Sequence, residues 1–330
     1  MKHLIYGVFI FFLTAGSITA QTLLSVYTSL DETLSKELFE QYERETGVRI
    51  NFIYLSGGEA VERMEAEIEN PRASIWVGGA NTDHFTAMRK NLTMPYISRE
   101  ADNTPSRYRD SDNYWIGLYI DPLVISTNNN RAKFLGLTPP ESWNDLLKPE
   151  YRGQIRVEDQ YVYSVITAVR YVFYGNENHA FDFLRRLDVN IDHNAFSLSA
   201  LDQSLAAGEV FAAVCYASGH ARLRSAGANI EINVPAEGTV FELASMSIIR
   251  GGRQPLQARQ LYDWILSSHS AQRIFARWCF IPVRNGAVIS PFAPALDQLR
   301  TVNQNIQWEG DPANRTRLLD RWNSEIGSIR

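Results

Sequence analysis

Apolar positions in the first third of the mature chain switch repeatedly between strand and helix spacing. LLSVY (23–27) reads as a strand. ETLSKELFEQYERET (32–46) follows as a helix, with Leu34, Leu38 and Tyr42 at i, i+4 and i+8 and Gly47 closing it. The alternation continues with a strand at VRINFIY (48–54), a helix at EAVERMEAEIEN (59–70), a strand at SIWV (74–77) and a helix from Thr82 to Lys90. Strands separated by single helices imply parallel βαβ units.

A second alternating region begins after the polar stretch 98–113. WIGLYIDPLVIST (115–127) is long enough for two strands with a break at Asp121-Pro122, a passage between lobes. Helices near 164–174, 178–187 and 198–207 precede a buried strand, VFAAVCYA (210–217), and FELASMSIIRG (241–251) reads as a second passage back. The remaining residues are mainly helical, most clearly in QARQLYDWILSS and SAQRIFARWC. The expected fold is α/β and two-lobed, each lobe a mostly parallel sheet flanked by helices, with crossing hinge strands between them. The expected division places 21–120 and about 242–285 in lobe 1, and 121–241 and about 286–330 in lobe 2. Hinge closure on a ligand is the motion such a shape permits.

The N-terminus adds an address. Lys2 and His3, the apolar run Leu4–Leu13 and small residues up to Ala20 form a secretory signal peptide, residues 1–20, too short for a membrane anchor. About 310 residues remain, enough for two domains. With 45% hydrophobic and 21% charged residues and a net charge of −5, the chain reads as globular and mildly acidic, without the basic stripe that nucleic acid demands. Cys215 and Cys279 both lie in apolar runs and read as separate buried thiols, and their spacing makes no zinc site.

Ligands of open α/β sheets gather beyond the carboxyl ends of the strands. Three such corners occur early: TSLDE (28–32), where Ser29 and Glu32 have capping-box spacing; SGGE (56–59); and GGANTD (78–83). Each joins glycine or hydroxyl residues to free N–H groups at a helix start, which favours an anionic or oxygen-rich ligand, although any one of them also reads as an ordinary βα turn. In the second lobe the candidates lie in EDQYVYS (158–164), NAFSLSA (194–200) and CYASGH (215–220). There Tyr161, Tyr163 and Tyr216 offer hydrogen bonding, stacking or metal ligation, and His84 and His220 read as surface or supporting positions. No nucleophile elbow, HExxH helix or GxGxxG turn occurs, so no catalytic residue is assigned and the chain reads as a non-enzyme.

PESWNDLLKPEYRGQIRV (140–157), AFDFLRRLDVNI (180–191), LAAGEVFAAV (205–214), PAEGT (235–239) and CFIPVRNGA (279–287), in this order, resemble the periplasmic solute-binding proteins of ABC transporters. The similar branch contains ferric-iron-binding proteins and relatives that bind hexose phosphates, 2-aminoethylphosphonate or thiamine. The resemblance implies a type II periplasmic-binding fold, a periplasmic monomer, a small-molecule solute in the cleft, and delivery to an ABC permease with its ATPase; a sensor kinase is a further expected partner.

The SGGE corner and the Gly-Gly strand end resemble the hexose-phosphate branch, whose His-Asp pair is replaced here by Ser218 and Gly219. A small anionic solute, organophosphate- or phosphonate-like, is therefore expected. Thr28, Ser29, Ser56, Gly57, Gly79, Ala80 and Asn81 would donate to its head group. Tyr163, Ser164, Ser197, Tyr216 and Ser218 would read its body, and Glu237 would accept from a hydroxyl or amine or stabilise its turn. No cofactor is expected. The alternative is ferric iron as the transported ligand, held by Tyr216 with Tyr161, Tyr163 and Glu59, where ferric relatives place two adjacent tyrosines.

Overall fold

The structure is a computed structural model that describes residues 23–158, 162–195, 197–295 and 298–327. The first βαβ series is β1 (Leu23–Ser29), α1 (Glu32–Thr46), β2 (Arg49–Tyr54), α2 (Gly57–Ala66), β3 (Ile75–Ala80) and α3 (Asn81–Arg89). The short β4 (Thr93–Met94), the long β5 (Ile116–Asn128) and α4 (Asn129–Leu135) follow. The second series is β6 (Ile155–Glu158), α5 (Val162–Val172), α6 (Glu177–Asp188), β7 (Ile191–Ala195), α7 (Leu198–Ala207), β8 (Ala212–Tyr216), α8 (Ala217–Ser225) and β9 (Ile230–Asn233). The chain ends with β10 (Phe241–Ile249), α9 (Pro255–Ser267), α10 (His269–Arg277), β11 (Ile281–Pro282), α11 (Ile306–Glu309) and α12 (Pro312–Glu325).

Strand order is β2-β1-β3-β10-β5-β8-β6-β7. β1 pairs in parallel with β2 and β3, and β6 pairs in parallel with β7 and β8. β5 joins the two series, pairing antiparallel with β10 through Ile116–Pro122 and with β8 through Leu123–Thr127. The expected break at Asp121-Pro122 is absent, because β5 is one continuous strand of 13 residues. Pro122 is tolerated there because it falls where the strand changes partner, so its missing N–H interrupts neither ladder.

Two main cores flank this seam. Leu24, Val26, Leu34, Leu38, Ile75 and Met246 pack with Leu261, Ile265 and Phe275 from α9 and α10. Ile155, Val165, Phe181, Leu184 and Val214 pack with Leu318 and Trp322 from α12. The i, i+4, i+8 stripe of α1 is buried as its spacing predicts, and Gly47 closes the helix in the left-handed conformation at φ 72°. Both cysteines are buried and free. Among the described residues no helix is long and apolar enough to cross a membrane.

Candidate functional site

The three corners of the first sheet meet different fates. At the first, Asp31 caps α1 by accepting from the N–H groups of Thr33 and Leu34, so the expected Ser29–Glu32 capping box does not form. Ser29 Oγ instead accepts from Trp76 Nε1 at 2.9 Å, and buried Thr28 shares a hydrogen bond with Ser35. At the second corner Ser56 and Glu59 form a complete capping box, which occupies both side chains at the start of α2. Gly57 is closely approached by Asp83: a Cβ there would lie 1.9 Å from Asp83 Oδ2. The space in front of this corner is thus filled by the Asp83 side chain. In the structure the hydroxyls of Thr28, Ser29 and Ser56 make hydrogen bonds within the protein, and Gly57 packs against Asp83.

The third corner stays open. Gly78 and Gly79 adopt φ of 87° and 85°, and Ala80, at the N-cap of α3, gives no side-chain cap. Behind this turn lies His84, stacked on Trp76 with ring centroids 3.8 Å apart. Its Nε2 meets the Gly78 carbonyl at 2.8 Å and its Nδ1 meets Ser247 Oγ at 2.7 Å, an arrangement in which a neutral Nε2–H donates and Nδ1 accepts. Burial holds the imidazole neutral, lowering its pKa to about 3. His84 is therefore a buried prop of the turn rather than a surface residue, and its short contacts leave Gly78 and Gly79 little freedom.

Of the second-half candidates, Tyr163, Ser164 and Tyr216 converge. Ser164 Oγ and Tyr216 Oη share a hydrogen bond of 2.9 Å, and Tyr163 Oη donates to the Glu309 carbonyl at 3.3 Å. Burial pushes the Tyr216 phenol far up, so it is a neutral hydroxyl. The others face elsewhere. Ser197 caps α7, exposed and away from the cavity described below. Ser218 directs both its N–H and its hydroxyl to Asp121, which thereby caps α8. Glu237 accepts from the N–H groups of Trp143 and Asn144, so it is a turn-stabilising residue. Tyr161 lies outside the described residues.

A cavity of about 410 Å³ opens between the halves. Ala80, Asn81 and Thr82 line it from the end of β3 and the start of α3; Tyr163, Ser164 and Thr167 from α5; Tyr216 from the end of β8; and Glu242 from β10. Asn81, Phe241, Gln304 and Glu309 also border an adjoining cavity of about 470 Å³, which Arg107, Arg109 and Trp115 line.

Residues 80–307 match the bacterial extracellular solute-binding protein family. The chain belongs to this family. It is 27% identical to the fructose-6-phosphate-bound periplasmic binding protein AfuA of Actinobacillus pleuropneumoniae, with a TM-score of 0.79 over 93% of this chain and 99% of that one. It is 29% identical over 325 residues to a Haemophilus influenzae protein of unassigned activity, spanning 94% of this chain and 93% of the other. A Salmonella typhimurium protein named for periplasmic 2-aminoethylphosphonate binding is 22% identical over 331 residues, 95% of each chain. The function is that of a solute-binding receptor of an ABC importer, a partner of a permease and its ATPase.

In this solute-binding protein Glu242 and Glu309 line the cavity together with Arg315, and Asp83 and Asp121 lie behind its wall. Burial pushes Asp83 and Asp121 each up to about 6. Glu242, exposed towards the cavity but enclosed by protein elsewhere, is pushed up to about 7 by burial and then by the charges of Asp121 and Asp83. Glu309 accepts from Tyr171 Oη at 2.6 Å and Gln304 Nε2 at 3.0 Å. Arg315 lies over the Tyr163 ring at 4.8 Å from its centroid. Sequence reasoning missed Glu242, Gln304, Glu309 and Arg315. Glu242 could have been found, since it opens the segment read as the return passage between lobes. The C-terminal residues carry no comparable local signal.

Proposed function

We propose that this receptor binds a small polar organic solute whose oxygen-rich, anionic head group meets the N–H groups at the start of α3, and that it is not an enzyme. The observation that carries this reading is the contrast among the corners: α1 and α2 are capped by Asp31 and by Ser56 with Glu59, whereas the start of α3 lacks a side-chain cap and opens into the cavity. The adjoining cavity supplies more donors, the guanidinium groups of Arg107 and Arg109. Tyr163, Ser164 and Tyr216 face the same space and read the body of the solute. AfuA with its bound sugar phosphate and the Salmonella protein named for a phosphonate supply relatives whose solutes bear phosphorus oxyanions.

Ferric iron is the weaker reading. Hard trivalent iron requires several anionic oxygens, whereas Tyr216 is held neutral, Tyr163 Oη donates to a carbonyl, and Glu59 is engaged in the α2 capping box away from the cavity. The cluster of Cys215, His220 and Asp202 makes no hydrolase either: Cys215 Sγ lies 3.0 Å from His220 Nδ1 and Asp202 lies 3.2 Å from Nε2, but burial raises the thiol far from the thiolate a nucleophile needs.

The chain functions as a periplasmic monomer, released by cleavage of the leader 1–20 and delivering its solute to the permease. Residues 21–120 with 242–285, and 121–241 with 286–330, are the units that close on the solute. Native mass spectrometry of protein isolated from its own periplasm tests this reading: a phosphorus-containing small molecule is expected. Retained iron with a visible tyrosinate absorption band would overturn it in favour of ferric transport.

A further inference from the structure

We propose that α11 and the residues on either side of it form a latch across the cleft, held on the second half by Tyr171 and closing on α3 of the first, and that this latch sets how long a solute stays bound. This rests on the reading of the cleft as the solute site. Gln304, just before α11, and Glu309, at its end, line both cavities, so a solute in either space lies against this segment. Its apolar side chains enter two different cores. Ile306 packs with Tyr108, Trp115 and Leu243, on the first-half side of the point where β5 changes partner. Trp308 packs against the core of Leu318 and Trp322, with the Arg170 guanidinium 3.7 Å from its ring centroid. So short a segment, anchored in both cores, loses one anchor when the halves separate.

The hold on the second half centres on one phenol. Tyr171 Oη, on α5, accepts from the Asn305 N–H at 2.7 Å and donates to Glu309 Oε1 at 2.6 Å, so a single hydroxyl fixes both ends of α11. Asn305 in turn caps the helix by accepting from the Trp308 N–H. Gln304 ties the latch to the seam: its Oε1 accepts from the Phe241 N–H at 2.8 Å, and its Nε2 donates to the Phe241 carbonyl at 3.1 Å. On the other side, Gly310 meets α3. A Cβ at Gly310 would lie 3.3 Å from the Thr82 carbonyl oxygen and 3.4 Å from Thr82 Cβ, so the two backbones stand in contact across the cleft. Tyr171 stands outside the lining of both cavities and acts through α11, as a positioning residue.

Thr82→Cys combined with Gly310→Cys tests the latch, because a Cβ separation of 3.4 Å is close to the ~3.5–4.5 Å that a disulfide spans, and the native Cys215 and Cys279 are buried. In stopped-flow measurements with fructose 6-phosphate as the probe, the oxidised double variant should release it about a hundredfold more slowly than the same protein reduced. Tyr171→Phe should release the probe about tenfold faster than the wild type while its association rate stays within about twofold, a split that a general loss of stability does not produce. A disulfide that forms without slowing release, or no disulfide under oxidant with or without the probe, would overturn the latch. Equal release rates for Tyr171→Phe and the wild type would overturn Tyr171 as its anchor. A wild type that takes up no fructose 6-phosphate counts against the preceding reading of the solute, and the latch is then decided by disulfide formation alone. Adding Tyr171→Phe to the double variant is expected to slow that formation about tenfold, and an unchanged rate refutes the proposal.

Discussion

Asp83 is a half-buried acid, enclosed by its neighbours, whose removal should stabilise the protein. Its carboxylate lies against Gly57 at the start of α2, and burial, only partly offset by the charge of Arg315, moves its pKa from 3.8 to about 6. The folded pKa is the higher one, so the folded state binds the proton more tightly, and stability falls as pH rises from the unfolded value through the folded value. A shift of about two units at 1.36 kcal/mol per unit makes the ionised group cost about 3 kcal/mol above pH 7. In the Asp83→Asn variant the amide that replaces this carboxyl cannot ionise. The stability difference between the variant and the wild type should therefore widen by about 2 to 3 kcal/mol in favour of the variant from pH 4 to pH 7.5. Urea unfolding of both proteins across this range measures it. A carboxylate at a helix N-terminus is ordinarily favourable by about 0.3–1 kcal/mol, which works against the burial cost. A difference that stays flat with pH, or that turns against the variant at pH 7.5, would show that the helix end compensates the charge and that burial does not dominate.

Ser29→Ala and Ser56→Ala should leave solute affinity unchanged in titration calorimetry, because both hydroxyls are engaged inside the protein; Ser56→Ala should lower stability by about 1 kcal/mol through loss of its cap. Weakened binding in either variant would return that corner to the site. His84, with a folded pKa lowered to about 3, contributes stability that is present above its unfolded pKa and lost as pH falls below about 6.5. Its ring resonances should show no titration between about pH 8 and pH 4.5, and a midpoint near 6.5 would mean that the Gly78 turn is not clamped by a neutral imidazole.

Much of the scaffold was legible because it rests on local rules. The stripe of Leu34, Leu38 and Tyr42 and the Gly47 stop depend on residues within a turn or two of one another and occur as their spacing indicates, whereas the Ser29–Glu32 spacing yields no capping box because Asp31 caps α1. The cavity gathers some of the expected positions and not others. Ala80, Asn81, Tyr163, Ser164 and Tyr216 do line the cleft, while Gly79 shapes the turn before α3 through its positive φ. Ser197 and Glu237 accept from backbone N–H groups and Ser218 donates to Asp121, roles that a polar residue at a strand end does not distinguish in sequence from service to a solute.

What the sequence determined by itself is the alternation of strands and helices, the three corners and the membership of a receptor family, since periodicity, caps and motif order are short-range properties. Which corner remains open was decided only by tertiary structure. Asp83 reaches Gly57 from the next helix, Trp76 reaches Ser29 across the sheet, and Asp121 reaches Ser218 across 97 positions. The setting of Glu242 was decided in the same way, because Asp121 and Glu242 become neighbours only when β5 and β10 pair, and burial then acts on charges that are innocuous in the unfolded chain.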